Sequence, residues 1–130
     1  MIVDSSALVA MLRREPEGEA MALAIAGAET AKVSAANYVE AGIVIDSVRD
    51  PVTSAKLDAV MLELEIDIAP VTPEQAKAAR QAYRDFGKGS GHPARLNFGD
   101  CFAYALAMQR GEALLYKGDD FAHAGVARAV

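Results

Sequence analysis

The chain has 130 residues, of which 52% are hydrophobic, and a formal charge of −5; this is enough apolar material for one domain burying roughly two-thirds of its unfolded surface. Cys101 is the only cysteine, which excludes an internal disulfide and a multi-thiolate zinc site, and the acidic balance argues against a basic, non-specific nucleic-acid coat. There is no uninterrupted apolar run of about 18 residues to span a membrane, and Met1-Ile2-Val3 meets Asp4 without a leader, so a soluble cytoplasmic protein is expected.

Met1-Ile2-Val3 reads as a short buried strand ending at Asp4. Ser5 or Ser6 caps a helix through about Arg14, and Pro16 opens another through about Gly27. Ala31-Lys32-Val33 is a second strand, followed by Ser34 as the cap of a helix from Ala35 to about Val48. Pro51 starts a helix ending near Glu65, and Ile66 to Ala69 is a third strand. Thr72-Pro73-Glu74-Gln75 combines a cap, a first-position proline and capping-box spacing, which predicts a helix to Phe86. Gly87 to Pro93 has loop composition. A helix from about Phe98 to Gln109 stops at Gly111, Ala113 to Tyr116 is a fourth strand, and Gly118 turns the chain into Asp119-Asp120-Phe121. No repeat or linker divides residues 1–130, which read as one domain. Strands alternating with helices predict an α/β layer fold with a parallel sheet, whose ligands bind beyond the carboxyl ends of the strands.

Four carboxylates, Asp4, Glu40, Asp100 and Asp119, interrupt apolar stretches. Burying a carboxylate is costly unless a positive group compensates it, and no Lys or Arg lies within four residues of Glu40 or Asp100. Each acid has a plainer explanation. Asp4 can be a helix cap, Asp100 a first-turn acid favoured by the helix dipole, and Asp119 a turn residue. Glu40 is hardest to explain that way, although Asn37 is a polar neighbour on its face. A shared divalent cation would compensate all four at once. Hard ions such as Mg²⁺ take oxygen ligands, and they support phosphodiester hydrolysis.

The opening Met1-Ile2-Val3-Asp4-Ser5-Ser6-Ala7-Leu8 resembles that of PIN-domain ribonucleases. The segment from Gly91 through Asn97-Phe98-Gly99-Asp100-Cys101 to Ala105 is similar to a characteristic segment of VapC toxins, and Leu115-Tyr116-Lys117-Gly118-Asp119-Asp120-Phe121 resembles their closing motif. The resemblance implies a three-layer α/β/α domain with a short central parallel sheet of four or five strands. It further implies a Mg²⁺-dependent endoribonuclease, with Mn²⁺ as a substitute, acting as the toxin of a type II toxin–antitoxin pair. Asp4, Glu40 and Asp100 match the acidic cluster, with Asp4 and Asp100 as the main metal ligands; the fourth acid is Asp119 or the adjacent Asp120, with Asp119 favoured and Asp120 read as its helix-capping neighbour. Ser6 falls where a small hydroxyl residue lies near metal and substrate. A VapB-like antitoxin is the implied inhibitor and RNA the implied substrate. A homodimer within a larger complex is the implied assembly, with contacts on the helices of Ser5 to Gly27 and Pro51 to Glu65.

Two other readings compete. A small-ester phosphohydrolase lacks its usual Asp-x-Asp motif at Asp4-Ser5-Ser6. A catalytically silent PIN-fold module binding RNA or protein has no need for four acids. Lys88, His92 and Arg95 are candidates for a mobile, phosphate-contacting edge, and Cys101 reads as a small buried hydrophobe.

Overall fold

The computed structural model describes residues 1–130. Its elements in chain order are β1 (Ile2–Val3), α1 (Ser5–Leu12), α2 (Gly18–Ala26), β2 (Ala31–Ser34), α3 (Ala35–Asp46), α4 (Pro51–Glu63), β3 (Ile66–Ala69), α5 (Pro73–Phe86), α6 (Phe98–Arg110) and β4 (Leu114–Leu115). The sheet is fully parallel in the order β3-β2-β1-β4, with Ile2 opposite Lys32 on one side and Leu114 on the other.

Side-chain alternation in these short strands builds two cores. Ile2 and Leu114 point into a cluster with α5 and α6, whereas Val3 and Leu115 point into a cluster with α1, α2, α3 and α4. Both faces of the sheet are therefore covered, as a parallel sheet requires. This is the expected three-layer α/β/α arrangement with four strands. In place of a fifth strand, the C-terminal segment makes a single bridge from Arg128 to Leu114.

Several helix limits differ from the sequence expectation by two residues. Helix α1 stops at Leu12, and Arg14 adopts a left-handed conformation with φ 53°. Helix α2 opens at Gly18, where a Cβ would stand 2.7 Å from the Ala10 carbonyl oxygen, so only glycine lets the chain return this close to α1. Helix α4 likewise ends at Glu63, before a left-handed Glu65. The Gly87–Pro93 loop is pinned rather than loose. The Lys88 N–H donates to Leu96 O and the Leu96 N–H to Phe86 O, each at 2.8 Å.

Leu8 is fully buried in the α1 core cluster. Leu8→Ala is expected to lower stability by about 2–5 kcal/mol through lost burial and a residual cavity, seen as a lower urea midpoint with an unchanged m-value.

Candidate active site

Four elements meet beyond the carboxyl end of the sheet. Asp4 follows β1, Ser5 and Ser6 open α1, Glu40 comes from α3 and Asp100 from the first turn of α6. They line one crevice of about 340 Å³, together with Arg13, Asn97, Lys117 and Asp120. No ion pair reaches Asp4, Glu40 or Asp100, because Lys117 is engaged by Glu15 and Glu17.

Asp4 is both cap and site residue. Its Oδ2 accepts from the Ser6 backbone N–H at 3.0 Å and from the Ser6 hydroxyl at 2.6 Å. The Ser6 Oγ in turn accepts from the Lys117 N–H at 3.0 Å, tying α1 to the segment after β4. The other oxygen, Oδ1, is buried without a hydrogen-bond partner. Burial pushes the Asp4 carboxyl up to about 6, against the lowering pull of Ser6 and with a smaller push from Glu40. Asp100 is raised further, to about 7, chiefly by burial and then by the charges of Asp4, Asp120 and Glu40, while the Asn97 backbone hydrogen bond opposes this.

Asp100 is held by a capping box. The Asp100 N–H donates to Asn97 Oδ1 at 2.9 Å and the Asn97 N–H donates to Asp100 Oδ2 at 3.0 Å. Glu40 is held from three sides. The Ser5 hydroxyl donates to its Oε1, Asn37 Nδ2 donates to the same oxygen at 3.3 Å, and Gly99 packs so closely that any Cβ there would overlap the carboxylate. Asn37 is fully buried, and its Nδ2 also donates to Gly99 O at 2.9 Å. The one polar residue that favoured a plain solvated Glu40 is thus its internal support.

The two candidates for the fourth position are placed differently. Asp120, not Asp119, lines the crevice and adds to the field at Asp100. After Gly118, whose φ of 91° reverses the chain, the Asp119 carbonyl accepts from the Ala122 N–H in the following turn. Lys88, His92 and Arg95 do not line the crevice either. His92 Nδ1 accepts from the Ala94 N–H, and its ring meets Phe86 edge-on at 4.8 Å. Cys101 is a buried part of the α6 core, its thiol pushed up to about 11 by burial. Sequence reasoning missed Asn97, Gly99 and Arg13. The Asn97–Asp100 spacing was a usable capping signal, whereas nothing local marks Gly99 or Arg13.

The donors suit a hard divalent ion. They are all oxygens, one of them a buried carboxylate oxygen lacking a partner. No three His, Cys, Asp or Glu side chains form a ready ion cage. An ion that keeps several waters needs only one or two direct carboxylates, so an open crevice fits Mg²⁺ or Mn²⁺ better than an ion demanding a closed shell.

The PIN domain family model matches residues 1–127. Ribonuclease VapC28 of Mycobacterium tuberculosis is 58% identical over 130 residues, covering 100% of this chain and 98% of the relative. The chain is a PIN-domain protein of the VapC family. VapC42 and VapC30 from the same organism are 43% and 42% identical, covering 97% and 98% of this chain and 96% of each relative. Among solved structures, M. tuberculosis VapC20, described as a toxin cleaving the sarcin–ricin loop, superposes with a TM-score of 0.74 at 16% identity, covering 97% of this chain and 95% of that one. A toxin–antitoxin complex from Klebsiella pneumoniae gives 0.68 at 14% identity, with 93% and 89% covered. At these identities the two structures bear on the VapC fold alone. No helix is long and apolar enough to cross a membrane.

A carboxyl raised in the fold stabilises it below the ordinary acid range and loses that contribution as pH rises through the folded value. In metal-free protein, ionising Asp4 and Asp100 therefore removes stability between about pH 4 and 7. The Asp4 share reaches up to ~3 kcal/mol. Denaturant titrations across this range should show the loss in wild type, a flatter profile in Asp4→Asn, and recovery on adding Mg²⁺ or Mn²⁺.

Proposed function

We propose that this chain is a metal-dependent endoribonuclease, the toxin of a type II toxin–antitoxin pair, held inactive by a VapB-like antitoxin. The observation that carries this reading is the convergence of Asp4, Glu40 and Asp100 from three separate elements on one crevice without a paired cation. The ribonuclease names of relatives up to 58% identical support it.

In this reading Asp4 and Asp100 would hold Mg²⁺ or Mn²⁺, with Glu40 and Asp120 beside it. When bound, such an ion supplies Lewis acidity toward a phosphoryl oxygen and acidifies nearby water. Ser6 fixes Asp4 and sits beside the substrate, while Asn97 fixes Asp100 and Ser5 and Asn37 orient Glu40. Glu40 takes the proton from a water whose oxygen attacks phosphorus, and the bond to the departing ribose oxygen breaks as that oxygen regains a proton. No covalent enzyme intermediate forms. Arg13, the crevice cation outside any ion pair, meets the phosphate.

A basic antitoxin side chain entering the crevice would neutralise the same carboxylates and displace the ion. A homodimer within a larger toxin–antitoxin complex is the assembly we propose, with partner contacts on α1, α2 and α4. The K. pneumoniae toxin–antitoxin complex has the fold for such an arrangement.

Purified, antitoxin-free protein incubated with structured RNAs and Mg²⁺ is expected to cleave them and to stop on EDTA addition. Asp4→Asn and Asp100→Asn should each lose at least ~100-fold, since even partners that merely orient metal ligands are worth about 10–100-fold. Asp120→Asn should weaken cleavage more than Asp119→Asn. Cleavage surviving both ligand substitutions would defeat this assignment.

A further inference from the structure

A second cleft, of about 550 Å³ and mainly apolar, runs between α5 and α6 and shares Asn97 with the carboxylate crevice. Its walls hold aromatic faces open to solvent, Phe98 being 78% and Tyr83 48% exposed. Each ring has a neighbour that orients it. Phe98 meets Phe102 edge-on with centroids 4.9 Å apart. The Tyr83 hydroxyl donates to Lys88 O at 3.0 Å, and its ring fills the space a Cβ on Gly87 would need.

Cations border these rings. Lys77, Arg80 and Arg84 recur along α5 at spacings that form one stripe, and Lys88 extends it past the helix end. All four are exposed and none forms an ion pair, in a chain whose net charge is −5. Arg80 and Lys88 line the cleft itself. Unpaired cations beside exposed aromatic faces are the means by which proteins grip single-stranded nucleic acid, with bases stacking and phosphates meeting charge. The carboxylates repel a polyanion, so strand on either side of the scissile phosphate gains from positive charge just outside the crevice. The α5 stripe supplies it, and Asn97 joins the two surfaces.

We propose that the α5–α6 cleft is a stacking subsite for the single-stranded RNA flanking the scissile phosphate. Phe98 and Tyr83 take unpaired bases, and Arg80 and Lys88 take the adjoining phosphates. This rests on the ribonuclease reading and adds that the substrate is engaged in an unpaired segment, with little preference for base identity because every base has a stacking face.

The test measures fluorescence anisotropy of a short fluorescein-labelled single-stranded oligoribonucleotide in an Asp100→Asn background, which binds without consuming it. Phe98→Ala is expected to weaken binding ~10-fold and Phe98→Trp to restore it. Arg80→Gln should lower the slope of log affinity against log salt by about 0.7. Size-exclusion of the same variants and cleavage by their Asp100-containing counterparts run in parallel. Unchanged affinity in Phe98→Ala and Arg80→Gln overturns the subsite. So does a change in self-association alone, which would make the cleft a protein interface. If wild type cleaves RNA and the cleft variants cleave and bind equally well, the nuclease stands and the subsite falls. If binding follows the expected pattern without cleavage, the subsite stands and the nuclease reading falls. Neither binding nor cleavage removes both.

Discussion

The half-satisfied carboxylate of Asp4 is the constraint around which the rest of the molecule is arranged. One oxygen is held by Ser6 and the other is buried without a partner. Leaving a charged oxygen so placed disfavours its ionised form, and Asp100 and Glu40 add repulsion. No side-chain cation pairs with these carboxylates, although Arg13 lines the same crevice and so does Lys117. Glu15 and Glu17 draw its charge to the rim. The site is thus kept anionic by surrounding structure, and a mobile cation is the compensation its geometry leaves open.

Each carboxylate is aimed by neighbours that do no chemistry. Asn97 and Asp100 share two reciprocal hydrogen bonds, so the cap that starts α6 also sets the orientation of a proposed ligand. Asn37 bridges α3 to α6 by donating to both Glu40 and Gly99. Helix α6 therefore serves three surfaces within four residues. Phe98 faces the aromatic cleft, Asp100 the crevice and Cys101 the core.

The layer architecture was legible because hydrophobic runs and helix caps act locally. The Ser34, Thr72 and Pro51 signals all mark real helix starts. Asp4, Glu40 and Asp100 were legible because each is an acid where apolar packing is expected. Asp120 was not, since two adjacent acids after a glycine differ only in which way the turn points them. Arg13 and Gly99 act through space on residues distant in sequence, and composition carries no trace of that. The two-residue errors at the limits of α1, α2, α3 and α4 do not share one origin. The left-handed residues Arg14 and Glu65 end their helices in local turns, whereas the close approach at Gly18 answers to tertiary contact.

The empty side-chain position at Gly99 has a genetic consequence. Every single-base change that replaces a glycine codon adds at least a β-carbon, and here that atom collides with the Glu40 carboxylate. Gly99 is buried in the first turn of α6, so the group a replacement displaces first is the tip of Glu40. Wherever growth selects against this chain's activity, escape mutants should gather at this codon, because its loss reaches Glu40 directly.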